Sequence, residues 1–388
     1  MPLVARLSLF YVAIYLVIGV SLPYVATFLR ARGLSGAEIG AVLAAPLLLK
    51  PFTGSILAVW ADGFSLRRSP MILLAIAAAG AYLAMLVAPG FWSLLVCWLL
   101  GATLFSTISP LIDVVTLRRA RLEGFNYGLP RGSGSSAFIA ANLAMGVVLT
   151  LVGAEVIVVW ITVAALLTAF AAFVLVPPER VHDEGEAPAK RDRWKGLGSL
   201  LTDRVFVLAV VTAGLIQGAH GFYYSFSTIL WRKQEIPEPM IGVLWGVGVA
   251  AEVGFMWFLE PWRRRVGPGR LLAMGAGAAV IRWTAYAFAP PLWALFPLQA
   301  LHAFTFAASF LASLQLIERL TPPKSASAAQ ALNSAVSQGF TLGLATLASG
   351  PLFDALGVKG YWAMAALGAA GLCGALVLGR SARVKAGA

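Results

Sequence analysis

The chain has 388 residues, 60% of them hydrophobic and only 12% charged, about half the charge of an ordinary soluble domain, which excludes that class. Mean hydropathy is +0.83, and the apolar runs have the length of transmembrane helices rather than the ten-residue alternation of a membrane β-barrel. The formal net charge of +12 does not call for a nucleic-acid partner, because Lys and Arg gather at the ends of apolar runs, as membrane topology requires.

Twelve apolar segments follow in order, near residues 7–29, 37–60, 70–88, 92–117, 132–153, 155–177, 203–231, 238–259, 269–289, 291–317, 325–350 and 357–379. The expected fold class is an all-α membrane protein with twelve transmembrane helices. Met1 to Arg6 leads straight into the first segment without an early small-residue cleavage site, so no cleavable signal is expected. Connections are short except over 178–202, which is polar and charged and includes Lys190-Arg191-Asp192-Arg193-Trp194. That stretch reads as a cytoplasmic linker between an N-terminal six-helix half, 1–177, and a C-terminal half, 203–388. Cys97 and Cys373 both fall inside apolar segments, so no disulfide framework is expected.

Orientation follows from the basic residues. With the N-terminus inside, 22 Lys and Arg lie on the inner side and 5 on the outer, leaving Lys50 and Arg282 within spans. Both termini are therefore expected in the cytoplasm of a bacterial inner-membrane protein. The loop after the second span runs Asp62-Gly-Phe-Ser-Leu-Arg67-Arg68, and six spans later comes Glu260-Pro-Trp-Arg263-Arg264-Arg265. Each places an acid at a helix end before a basic cluster. This echo suggests duplicated, pseudo-symmetric halves, an architecture in which transporters bind solute near the midplane.

Several polar groups lie deep in the spans. Lys50, Glu252, Arg282, His302 and His220 fall on five different segments, near their middles. A charge at that depth costs at least ~2.5–3.5 kcal/mol on insertion scales and needs a partner or water. A static Glu252–Arg282 ion pair and a solute or proton role both remain open. For the histidines the alternatives are a satisfied interior ring and a proton carrier. Asp113 and Arg131 lie at similar depth near the inner ends of adjacent spans, which predicts a salt bridge; proton carriage by Asp113 is the alternative. With Asp62, these two are the candidate inner-face gate.

The stretch Gln217-Gly-Ala-His220-Gly-Phe-Tyr223-Tyr224-Ser225-Phe-Ser227-Thr228 carries too many polar groups for a lipid-facing helix. It predicts a wall facing protein or a wet cavity. Gln217, Tyr15, Tyr223, Trp245 and Trp283 are deep enough to line a solute pocket. Gln338 belongs to a polar stripe, Gln330, Asn333, Ser334, Ser337 and Gln338, much of which shares one helical face.

The blocks Ile216-Gln-Gly-Ala-His-Gly-Phe-Tyr-Tyr-Ser-Phe-Ser227, Leu244-Trp-Gly-Val-Gly-Val-Ala-Ala-Glu-Val253, Val280-Ile-Arg-Trp283 and Leu298-Gln-Ala-Leu-His302 resemble the 3-phenylpropionate permease family. That family comprises proton-coupled major facilitator transporters related to nucleoside and lactose symporters. The similarity extends through Pro110-Leu-Ile-Asp113 and Tyr127-Gly-Leu-Pro-Arg131, nearly the whole chain. It implies the major facilitator fold, with Lys50 standing where a basic residue is expected. It also implies that Glu252, Arg282 and His302 form a coupling network. One departure is Gly132-Ser133-Gly134-Ser135, where the family pattern has Trp at the position of Ser133; this leaves room beside the inner end of the fifth span.

The expected function is proton-coupled import of a small organic anion, an aromatic monocarboxylate, by alternating access. Lys50 and Arg282 would bind the anion among Gln217, Tyr15, Tyr223, Trp245, Trp283 and Gln338. Glu252, with His302, His220 or Asp113, would carry the proton. A nucleoside or sugar symporter and an exporter are near alternatives; a receptor or scaffold is a different class. No HExxH site, Walker A loop or nucleophile elbow is present, so neither an enzyme nor a metal or cofactor site is expected. The expected partners are a small-molecule solute, protons and the lipid bilayer, with no nucleic acid and a monomeric chain.

Overall fold

The computed structural model describes residues 1–180, 197–322 and 325–381. Each of the twelve expected spans is helical. Eight helices among the described residues are long and apolar enough to cross a membrane. The last of them, Ala326–Leu378, contains both final spans, and three spans fall outside this set. Of those three, Arg68–Ala84 is short, whereas Gly128–Val148 and Pro268–Tyr286 are rich in small or polar residues. A helix walled by protein does not need a fully apolar surface.

The first spans are α1 (Leu3–Ala31), α2 (Gly36–Asp62) and α3 (Arg68–Ala84). A capping box starts α2: Glu38 N donates to Ser35 Oγ at 3.2 Å, and Ser35 N donates to Glu38 Oε2 at 2.8 Å. Pro46 and Pro51 bracket Lys50 within it. The fourth span is two helices, α4 (Gly90–Ser106) and α5 (Ile108–Glu123), broken at Thr107. Next come α6 (Gly128–Val148) and α7 (Glu155–Leu175). α1 packs along α6 and α7.

After the short α8 (Leu197–Thr202), the seventh span is also split, into α9 (Arg204–Gly218) and α10 (Gly221–Lys233). Asp203 caps α9 by accepting from Val205 N at 3.0 Å and Phe206 N at 3.3 Å. Then follow α11 (Glu238–Phe258), α12 (Glu260–Val266) and α13 (Pro268–Tyr286). The tenth span runs α14 (Leu292–Ala300), a π-helical segment Ala303–Ala308, and α15 (Ser309–Leu320). The eleventh runs α16 (Ala326–Ser334), a second π-helical segment Ala335–Thr341, and α17 (Leu342–Leu356); α18 (Tyr361–Leu378) is the twelfth.

Two compact units emerge, Met1–Glu184 with Ser227–Gly246, and Gly185–Phe226 with Val247–Ala388. Residues 227–246 pack with the first unit, although the expected C-terminal half, 203–388, includes them. Residues 181–196 of the linker expected at 178–202 lie outside the described residues. Glycines explain the packing of 227–246: a Cβ on Gly242 would sit 2.5 Å from the Asn142 carbonyl oxygen, and one on Gly146 2.7 Å from that of Glu238. Helix backbones approach this closely only where no side chain intervenes. In the second unit the apolar core gathers Phe206, Ile216, Phe255, Leu271, Leu272 and Leu316.

Candidate functional site

The second unit holds a hydrogen-bonded cluster built at helix breaks. His220 occupies the break between α9 and α10, and His302 stands at the start of the π-helical segment in the tenth span. Such departures from the α-helix often mark functional positions, because they free backbone groups and re-aim side chains.

Arg282, near the end of α13, is fully buried. Its Nη2 donates to Gln299 Oε1 at 2.5 Å, and its Nη1 donates to Thr305 Oγ1 at 3.1 Å and to His302 Nδ1 at 3.0 Å. The guanidinium carbon lies 4.6 Å from the ring centres of both Tyr223 and Trp283, and 5.7 Å from that of Tyr286. Aromatic faces attract a cation, more strongly away from water. Gln299 Oε1 also accepts from Tyr223 OH at 3.0 Å and Tyr286 OH at 3.1 Å.

The histidine tautomers follow from these partners. A guanidinium only donates, so His302 Nδ1 is an acceptor and its neutral ring carries the proton on Nε2. That nitrogen lies 3.8 Å from Glu252 Oε2, ion-pair distance but too long for a hydrogen bond. His220 Nδ1 faces the carbonyl oxygens of Ile216 and Gln217 at 3.2 and 3.1 Å, so it donates; its Nε2 accepts from Thr305 Oγ1 at 3.1 Å. One chain of contacts thus runs from Glu252 through His302, Arg282 and Thr305 to His220. Two donors at its centre, Arg282 Nε and Trp283 Nε1, are buried without an acceptor.

The first unit holds a different charged site. Asp113 Oδ1 accepts from Tyr11 OH at 2.5 Å and from Tyr127 OH at 2.9 Å. Arg131 lies over the Tyr15 ring, 4.9 Å from its centre. A Cβ on Gly134 would stand 2.6 Å from that ring, so this glycine admits Tyr15.

With this geometry in view, residues 4–364 match the family model described as the MFS_1 like family. The chain belongs to that family of major facilitator transporters. It is 30% identical over 368 residues to a protein described as a probable 3-phenylpropionic acid transporter of Escherichia coli (strain K12), covering 92% of this chain and 93% of that protein. It is also 30% identical over 356 residues to a maltose permease of Geobacillus stearothermophilus, covering 89% and 86%. Among solved structures, the nucleoside transporter NupG superposes with a TM-score of 0.86 over 98% of this chain and 100% of that one. At 14% identity that likeness shows the major facilitator fold alone. These relatives are transporters, not enzymes.

In this MFS_1-like chain, the residues expected at the site separate into groups. Arg282, His302, Glu252, His220, Tyr223 and Trp283 come together as described. Gln217 joins them through α15: its Nε2 donates to Ser309 Oγ at 3.1 Å. Trp245 belongs to the first unit and donates to Thr228 Oγ1 at 3.0 Å. Tyr15 lies beneath Arg131. Gln338 falls in the second π-helical segment, and no described hydrogen bond joins it to the cluster. Lys50 is exposed on α2, with no hydrogen bond or ion pair among the described residues. Asp62 ends α2, exposed.

Two expected pairings give way to others. The Glu252–Arg282 ion pair is replaced by His302, which reaches both groups. Asp113 binds two phenols rather than Arg131, because Tyr11 and Tyr127 reach the carboxylate while the Arg131 guanidinium spreads over an aromatic face. Both ring nitrogens of His220 are occupied, consistent with a satisfied interior histidine. Ser133 lines a groove of about 510 Å³ with Val4, Ala5, Ser8, Leu9, Val12 and Leu129. Glu179 pairs with Arg118 and Arg119, and its carbonyl oxygen accepts from Arg67 N at 2.9 Å.

Gln299, Thr305 and Tyr127 were not among the expected site residues. Gln299 and Thr305 lie three residues either side of His302, the spacing of neighbours on one helical face. The break at Leu301 and the π-helical segment lie between them, so the spacing by itself does not join the two.

Proposed function

We propose that this transporter is a proton symporter that imports a small organic anion across the bacterial cytoplasmic membrane, with both termini inside and the chain acting as a monomer. The preferred substrate is an aromatic monocarboxylate such as 3-phenylpropionate. The six-helix halves, 1–177 and 203–388, alternate access to the two sides.

One observation carries the reading: Arg282 is buried among neutral acceptors and aromatic rings, with donor capacity left over. A buried cation without a matching anion is costly. A carboxylate supplies the missing charge and accepts from a guanidinium in a bidentate geometry that Lys cannot reproduce. Lys50 is the second cation of the proposal, and the rings around Arg282 suit an aromatic solute. The name of the Escherichia coli relative points the same way.

Proton coupling follows from charge. A proton added to His302 or Glu252 enters beside the Arg282 cation, and a carboxylate on Arg282 cancels that repulsion. Anion and proton then bind more favourably together than apart, and the linkage is reciprocal. His302 would link the two events: its Nδ1 accepts from Arg282, so a second ring proton requires that bond to break, which a carboxylate taking the guanidinium favours, while Nε2 faces Glu252. Asp113 serves in the inner-face structure with Asp62 and Arg131.

The test is binding of 3-phenylpropionate and its amide to purified wild type and Lys50→Ala. Wild type should prefer the acid, and Lys50→Ala should lose the acid selectively. Equal binding of acid and amide by wild type overturns the anion reading. It would favour a neutral sugar or nucleoside, the reading to which the maltose permease relative points.

A further inference from the structure

We infer that the amide oxygen of Gln299 is an internal stand-in for the substrate's carboxylate, held on the same donors that the substrate takes, so that Gln299 sets specificity for acids. This rests on the anion reading above.

Three donors from three residues converge on Gln299 Oε1: Arg282 Nη2, Tyr223 OH and Tyr286 OH. Three donors identify that atom as the oxygen of the amide rather than its nitrogen. A carbonyl oxygen has two lone pairs, whereas a carboxylate offers about four acceptor sites on two oxygens. The amide is therefore asked to accept more than it can satisfy well. Arg282 Nε and Trp283 Nε1 add two buried donors with no acceptor. All four side chains, Arg282, Gln299, Tyr223 and Tyr286, are buried. The surroundings are thus shaped for an anion and currently hold a neutral group.

The position of Gln299 supports displacement. It lies on α14, two residues after Pro297 and just before the break at Leu301 and His302. Proline and the π-helical segment both weaken the regular hydrogen-bond ladder there. A carboxylate that takes over the Tyr223, Tyr286 and Arg282 donors releases Gln299. An amide or alcohol brings no charge to repay that exchange and is refused. The uncharged stand-in gives the three donors a shared, weaker acceptor between substrates.

The experiment compares wild type, Gln299→Glu and Gln299→Met. Thermal unfolding is read without ligand, and binding of 3-phenylpropionate is read by titration. A tethered carboxylate should satisfy the donors permanently, so Gln299→Glu should melt higher than wild type and bind the acid at least tenfold more weakly. Gln299→Met removes the competitor and should bind the acid several-fold more tightly. Acid binding retained by Gln299→Glu, or a lower melting temperature or failure to fold in that variant, overturns the inference; so does weaker acid binding by Gln299→Met. If Gln299→Met does not fold, Gln299→Glu decides alone. If wild type binds no acid, the anion reading fails. The melting temperature of Gln299→Glu still shows whether these donors take a carboxylate: a rise preserves the stand-in, and no rise ends it.

Discussion

Asp113 and Arg282 are both charged groups at depth, and their surroundings differ in kind. Asp113 accepts from two phenols, Tyr11 and Tyr127. Arg282 donates to Gln299, Thr305 and His302 and still has Nε without an acceptor. The first site matches an acceptor to donors within the chain; the second has donors in excess. An ionised group inside a membrane protein is therefore best judged by the balance of donors and acceptors around it, and imbalance points to an exchangeable ligand. The contrast predicts that changes at Asp113 move stability, whereas changes around Arg282 move solute affinity and coupling.

The largest expected effect is at Glu252. Glu252→Gln should abolish uphill accumulation in proteoliposomes under an imposed pH gradient while leaving solute exchange. Accumulation that still follows the gradient would remove Glu252 from coupling. Arg282→Lys comes next. Losing a charge-assisted bidentate contact is worth ~1.5–3 kcal/mol, so acid affinity should fall by about 10- to 150-fold, although the charge is kept. An unchanged affinity by calorimetry would place the anion elsewhere.

Smaller effects are expected in the first unit, on melting temperature rather than affinity. Asp113→Leu leaves two phenols without their acceptor and should cost ~2–3 kcal/mol, whereas Asp113→Asn can keep an oxygen where both phenols donate, though uncharged, and should cost less. Acid binding should be unchanged in both. An Asp113→Asn protein with wild-type stability and no proton response would make Asp113 a carrier and erase the contrast. The smallest effect belongs to Gly134→Ala, whose methyl would press on the Tyr15 ring. Overpacking of this kind costs ~1–3 kcal/mol, toward the lower end where the ring can shift. A melting temperature equal to wild type would show that Arg131 does not depend on the position of Tyr15.

Much of the molecule is legible in the amino-acid order. Apolar run lengths determine the helical spans, because backbone polar groups in lipid must be satisfied within the helix. Depth along those runs singled out Glu252, Arg282, His220 and His302, and the motif blocks identified the family. Partnership was not legible. Depth says how far along a helix a residue lies, but not which neighbouring helix its side chain reaches. The breaks at His220 and His302 and the π-helical segments also shift helical phase, so a regular periodicity cannot be carried across them. Only the tertiary structure therefore decided that His302 stands between Glu252 and Arg282, that Asp113 takes two phenols instead of Arg131, and that Gln299 occupies the donors of the cluster. Charge and hydropathy are properties of a residue, whereas a hydrogen bond exists only where donor and acceptor come within about 3 Å in the right direction.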